Sequence, residues 1–168
     1  ADLALLLNEA ALRAARRNSK QTHAIDVSYA MEKIALGPAR GGRVNPEEEL
    51  ATARHESGHA IVAYVKSKIC GVKVNKVSVV PRGRALGVTW TVSDKDSYGK
   101  FRSNMEGHLA YLLGGRVAEM ISYGEMTTGA SNDIERVTDT ARMMTMVYGM
   151  APKLPPRNFA PSSSSGRM

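Results

Sequence analysis

The stretch Ala53–Val65, ARHESGHAIVAYV, decides how the rest of the chain is read. Residues four apart on an α-helix point the same way, so His55 and His59 can offer an imidazole nitrogen each to one metal ion. For zinc the expected bond length is about 2.0–2.1 Å. Glu56 lies beside the first histidine, where its carboxylate can take a proton from a metal-activated water. The bland alternative is three polar residues that share a helix by accident. With only 4 histidines in 168 residues, the His-Glu-x-x-His spacing is too rare for that alternative to lead.

The surrounding residues support a helix. Asn45-Pro46 followed by Glu47, Glu48 and Glu49 supplies a cap, a proline at the first position and acids in the first turn, and predicts a helix from there to about Lys68. Gly58, inside it, costs about 1 kcal/mol relative to alanine and predicts a close approach by some other group.

A hydrolytic zinc site has three protein ligands and an open position, so a third ligand is needed. The metzincin extension is absent, since positions 62 and 65 are both valine, and Ala60 to Ser93 contains no His, Asp or Glu. Cys70 is the one nearby donor. The remaining candidates are Asp94, Asp96, Glu106, His108, Glu119, Glu125, Asp133, Glu135 and Asp139. Asp94 and Asp96 belong to a polar loop. Asp133 falls in the first turn of a helix, on the side of Val137 and Met144, where a buried carboxylate needs compensation that a metal supplies. Glu119 is the rival, beside Met120. Spacing favours Asp133 without excluding Glu119.

Outward from this centre, DLALLLNEAALRAARR (2–17) places Leu3, Leu6, Leu7, Ala10 and Ala14 at helical spacing, with arginines at the C-terminal end. A second helix is expected from an N-cap at Asp26, with Val27, Ala30, Met31 and Ile34 on one face. Gly37 and Pro38 end it, and Gly41-Gly42 reads as a hinge or linker. After Gly71, VKVNKVSVVP and LGVTWTV are β-branched, and Leu86, Val88, Trp90 and Val92 alternate, predicting a hairpin turning through Pro81–Arg84. Helical period returns from about Phe101 to Ser122, with Met105, Leu109, Leu112, Leu113, Val117 and Met120 facing inward. A last helix, capped by Ser131 or Asn132, carries Ile134, Val137, Ala141, Met144 and Tyr148. The Pro- and Ser-rich end, APKLPPRNFAPSSSSGRM, is expected to be disordered.

Composition narrows the function classes. The formal charge of +7 could suit a nucleic acid or an acidic membrane surface, but aromatics are only 5 %, which argues against a base-stacking platform. Arg13, Arg16, Arg17 and Lys20 read more simply as the solvated end of a helix than as a nucleic-acid-binding face. Cys70 is the single cysteine, so no intrachain disulfide forms and no oxidising compartment is required. The apolar runs fall short of a membrane span, and no signal peptide is expected. Ala1 in place of an initiator methionine fits an excised piece of a longer protein.

HESGHAIVAY, VSVVPRGRALGVT, LLGGRVAE and GEMTTGASNDIERVTDTARMM, in that order, resemble the peptidase domain of FtsH-type, membrane-anchored AAA proteases over residues 1–150. The resemblance implies a mainly α fold: a helical zinc-peptidase domain with a small β-hairpin or sheet, over residues 41–150 and truncated. It implies that residues 1–40 are the end of an AAA helical lid, with 151–168 a disordered tail. It further implies one Zn2+ per chain held by His55, His59 and Asp133, with Glu56 as general base. ATP and Mg2+ would enter only through the AAA part, since no Walker A motif occurs here. Expected partners are unfolded or membrane protein substrates, and no nucleic acid. The expected assembly is a hexamer at the soluble face of a bacterial cytoplasmic, mitochondrial or chloroplast membrane. Two departures stand out: Met120, where the family often has a second glutamate, and the sequence after Met150. The competing reading is an inactive homologue used as an assembly or holding module.

Overall fold

The computed structural model describes residues 3–41, 45–83, 85–93 and 99–159. Gly42, Arg84, Asp94, Asp96 and the end of the serine-rich tail, on which several expectations fall, lie outside the described residues. The chain is mainly helical, with a two-stranded antiparallel sheet, as its periodicities predict.

Helices α1 (Leu3–Arg16) and α2 (Ala24–Leu36) form an antiparallel pair. Small side chains make the contact: Ala10, Ala14 and Ala30 are buried, while Leu3, Leu7, Met31 and Ile34 stay largely exposed. The N-cap expected at Asp26 is corrected. Position 23 is the cap, and Asp26 sits a turn inside, where its carboxylate accepts from the His23 N–H at 3.0 Å. From there it also takes Arg17 in a two-pronged bond, at 2.9 and 2.7 Å, with Arg13 at 3.5 Å. A fully buried carboxylate thereby ties the two helices together. The Arg17 guanidinium, and then the His23 N–H, hold its pKa below the ordinary carboxylate value.

Helix α3 (Pro46–Val65) starts as expected, with the Asn45 side chain accepting from Glu47 N–H. It ends earlier than Lys68. Lys66 leaves helical geometry, a short α4 (Ser67–Cys70) follows, and Gly71 closes it with φ +67°. Strands β1 (Val72–Ser78) and β2 (Val88–Ser93) pair from Val72↔Ser93 to Ser78↔Val88, with a bulge at Asn75. The alternation along β2 does not become a buried face: Leu86 and Val92 are exposed and the rest are half-buried.

Helix α5 (Arg102–Tyr123) packs along α3 on a face shifted from the predicted apolar stripe: Leu112 is buried and Met105, Leu109 and Leu113 are half-buried, as expected of that stripe, but its C-terminal members are not. Val117 and Met120 point outward, while Gly107, Tyr111, Leu112, Gly114, Gly115 and Glu119 are buried. The reason is the closeness of the crossing. A Cβ on Gly58 would lie 2.2 Å from the Gly114 carbonyl oxygen, and one on Gly114 would lie 2.6 Å from the Gly58 oxygen. Two glycines face each other, so main chain meets main chain. A small core of Ala63, Cys70, Tyr111 and Leu112 closes one side, and the Cys70 thiol donates to the Gly107 carbonyl at 3.1 Å.

A 3₁₀ turn (Thr128–Ala130) runs directly into α6 (Ser131–Arg142), so neither Ser131 nor Asn132 serves as the cap. A π-helical turn, Met143–Val147, follows, with Met144 buried. Residues 151–159 have no regular structure, and the Phe159 N–H returns to the Met146 carbonyl at 2.6 Å. No helix among the described residues is long and apolar enough to cross a membrane.

Two outcomes are expected. Gly58→Ala should lower the urea midpoint by an amount equivalent to about 1–3 kcal/mol, because backbone must move to admit the methyl. Gly41→Ala, where nothing lies within 4 Å, serves as the neutral control. The stabilisation from Asp26 should be complete above about pH 4 and lost as pH falls through its lowered folded-state pKa, because protonation removes the carboxylate that Arg17 grips. Thermal melts across this range should show the loss in wild type, and Asp26→Asn should flatten the acid limb while lowering Tm at neutral pH.

Candidate metal centre

Helix α3 carries His55 and His59 on one face, and α5 and α6 bring their partners. The Nε2 atoms of the two rings lie 3.0 Å apart, and Asp133 Oδ2 is 3.2 Å from the first and 3.1 Å from the second. Three donor atoms thus converge on one point. Asp133 reaches it from the first turn of α6, where the helix dipole favours a carboxylate.

The other ring nitrogens reveal the proton arrangement. His55 Nδ1–H donates to Glu119 Oε1 at 2.8 Å, and His59 Nδ1–H donates to the Tyr111 carbonyl at 2.9 Å. A carboxylate and a carbonyl only accept, so both imidazoles carry hydrogen on Nδ1 and turn Nε2 lone pairs inward. Two lone pairs and a carboxylate oxygen packed this closely repel unless they share a cation. This donor set fits a tetrahedral Zn2+ with one position open. The hydrogen bond to Asp133, followed by that to Glu119, raises the His55 pKa above its ordinary value against the opposing effect of burial. Burial pushes Asp133 up, but its bonds to His55 and His59 outweigh that and hold it far below the usual carboxylate range.

Glu119, the sequence rival, is not among the three converging donors. It stands behind His55 and gathers the loop before α6. The Thr127 N–H and hydroxyl donate to its two oxygens at 3.0 and 3.1 Å, and Arg116 lies 3.6 Å away. Burial raises its pKa, but the Thr127 N–H, the bond to His55 and the Thr127 hydroxyl outweigh that and lower it. Gly115 lies under the rings: a Cβ there would come 2.5 Å from His55 Nε2 and 2.6 Å from His59 Nε2. Neither its role nor that of Glu119 was read from the sequence, although the LLGGRVAE run that holds both was singled out.

The other candidates lie elsewhere. Glu106 pairs with Arg102 on the surface, His108 packs beside the Tyr111 ring, Glu125 and Asp139 are exposed, and Cys70 is in the core. Glu135 lines the same cleft as the histidines without joining the three converging donors. Glu56 is buried on the cleft wall, and its Oε2 accepts from the Thr89 hydroxyl at 2.7 Å. The cleft measures about 990 Å³ and is bounded by α3, the segment Ala85–Thr89 and the start of α6.

Comparison with known proteins agrees with this geometry. Residues 43–167 match peptidase family M41. The ATP-dependent zinc metalloprotease FtsH of Cupriavidus metallidurans is 50 % identical over 155 residues, which is 92 % of this chain and 24 % of that protein. Its namesake in Rubrobacter xylanophilus is 46 % identical over 92 % of this chain and 24 % of its own length. FtsH 3 of Conexibacter woesei is 44 % identical over 99 % of this chain and 22 % of its own. The chain spans about a quarter of the length of these relatives. Convergent donors on the α3–α5–α6 frame, together with a family match that runs from residue 43 to residue 167, place this chain in peptidase family M41, among the FtsH-type zinc metalloproteases.

Proposed function

We propose that this chain hydrolyses peptide bonds with one Zn2+ held by His55 Nε2, His59 Nε2 and Asp133, and with Glu56 as general base. The observation that carries this reading is the convergence of both Nε2 atoms and Asp133 Oδ2 on one point, while each Nδ1 faces an acceptor on the far side of its ring. Zinc bound there supplies Lewis acidity, which polarises a substrate carbonyl and lowers the pKa of water towards about 7.

The protein's own residues do the rest. Glu119 and the Tyr111 carbonyl orient the rings. Glu56 takes the proton of the attacking water on its carboxylate and returns it to the leaving amine. Strand β2 borders the cleft through Val88 and Thr89, and β1 is its single partner among the described residues. Its outer edge is suited to adding an extended substrate segment by main-chain hydrogen bonds, with little demand on side-chain identity.

Within a full-length protein resembling its relatives, residues 1–40 form the end of an AAA lid. An ATP- and Mg2+-binding motor, a hexameric assembly and a membrane anchor then deliver unfolded or membrane proteins to this cleft.

Purified chain should carry about one zinc, and Glu56→Gln should keep the metal while lowering cleavage of casein at least ~10²-fold. Equal cleavage by both forms removes Glu56 from the chemistry, and a zinc-loaded wild type that leaves casein intact favours the holding-module reading. Asp133→Asn should empty the site at micromolar zinc, whereas Glu119→Gln should weaken affinity about 10–100-fold. The reverse order would exchange their roles. Gly115→Ala should also abolish zinc binding, because its methyl occupies the space of the rings.

Zinc affinity should fall with falling pH. The raised His55 pKa stabilises the metal-free fold below about pH 6.5 and ceases to do so as pH rises through the folded value, so zinc and a proton compete. Titration calorimetry at pH 6–7 in buffers of different ionisation enthalpy should detect proton release on binding.

A further inference from the structure

We propose that Thr89 is a positioning residue for the general base, its hydroxyl holding the Glu56 carboxylate at the cleft wall. The inference rests on the reading of Glu56 as that base. Thr89 Oγ1 lies 2.7 Å from Glu56 Oε2 and 2.9 Å from the main-chain oxygen of the same residue. One hydroxyl hydrogen therefore faces two acceptors on a single residue. A charge-assisted bond to a carboxylate is stronger than one to an amide, and 2.7 Å falls at the upper end of the ~2.5–2.7 Å typical of it.

Glu56 is almost fully buried, so its carboxylate needs a donor, and a glutamate side chain has three rotatable bonds to restrain. Thr89 can supply that restraint because its own placement is over-determined. It is paired across the sheet with Val77, and its carbonyl accepts from the Tyr111 hydroxyl at 3.3 Å. Two residues earlier, Gly87 lets the strand pass so close to α3 that a Cβ there would meet Thr52 Cγ2 at 2.5 Å and Glu56 Cγ at 2.9 Å. Branching at Cβ further limits χ1, so the hydroxyl is aimed before substrate arrives. Tyr111 thus touches both halves of the centre: its carbonyl orients His59, and its hydroxyl steadies the strand that orients Glu56. Binding Oε2 in this way leaves Oε1 outside the bond, as the oxygen on which a proton can be carried.

The alternative is that the hydroxyl merely satisfies the Glu56 main-chain carbonyl and plays no part in the reaction. Thr89→Val keeps the shape and removes the donor, and Thr89→Ser keeps the donor. In zinc-loaded protein cleaving an unstructured fluorogenic peptide, Thr89→Val should lower kcat by about 10–100-fold with KM and zinc content unchanged, as expected for a displaced catalytic group. Thr89→Ser should recover most of the loss. A readout independent of turnover comes from the metal-free chain: Thr89→Val should lower the urea midpoint much less in a Glu56→Ala background than in wild type, because the main-chain bond survives there and the carboxylate bond does not.

Wild-type kcat in Thr89→Val, while Glu56→Gln is inactive, overturns the proposal and leaves the function standing. A strictly additive cycle also overturns it, since the hydroxyl then serves the main chain alone. Full activity in Glu56→Gln instead removes the reading of Glu56 on which the proposal rests.

Discussion

Everything at the centre depends on how closely α3 and α5 cross. Gly58 and Gly114 allow the two backbones to touch, and Gly115, the next residue, leaves the space that the two imidazoles fill. This geometry sets the registry of the outer contacts. With α5 at that distance, the Tyr111 carbonyl reaches one ring and, two turns further on, Glu119 reaches the other. Larger residues at the crossing would gain apolar area at about 25 cal/mol per Å², yet they would move both acceptors away from the rings they orient. The structure forgoes that burial for placement.

A line of hydrogen bonds runs outward from the rings, and each link explains the next. Nε2 lone pairs turn inward because the Nδ1 hydrogens are claimed by acceptors that cannot donate. Glu119 remains ionised despite burial because the Thr127 N–H and hydroxyl donate to it. The same bonds hold the TTGASND loop and so set where α6 begins and where Asp133 lies. The carboxylate behind the histidine and the carboxylate in front of it are therefore positioned by one loop. A change in that loop would act on both sides of the centre at once.

The N-terminal helix pair is fastened to this frame at the hairpin. Glu32 of α2 accepts from Lys76 of β1 at 2.5 Å and from Arg82 of the turn at 2.9 Å, and Arg82 also donates to the Gly37 carbonyl at 2.7 Å. Arg82 is buried, so its own two bonds lie in a low-dielectric setting where they are stronger than at a surface, whereas the Lys76 pair is exposed. The turn it belongs to leads through Ala85–Gly87 to the cleft wall. The Arg40 N–H, donating to the Pro81 carbonyl at 2.8 Å, adds to the link.

Local rules were readable without coordinates wherever the residues concerned were near neighbours in the chain. The His-Glu-x-x-His turn, the Asn45-Pro46 start and the β-branched hairpin follow from helix geometry, capping and strand propensity, all of which act over a few residues. So does the glycine at position 58 as a sign of close approach. The same reasoning found Leu112 on the buried side of α5 but extended that face too far, because it assumes that the most apolar stripe packs inward along its whole length. Here the contact is made by glycines, and the apolar Val117 and Met120 lie outside it. It also placed the start of α2 at Asp26, whose side chain caps from within the first turn rather than before it. Which of nine distant side chains would face the histidines was narrowed by spacing to Asp133 and Glu119, and by resemblance to Asp133. Tertiary structure alone put Asp133 Oδ2 beside both Nε2 atoms and Glu119 on the far side of His55, since 74 and 64 residues of chain respectively separate them from the histidines they meet and no local periodicity spans such a distance.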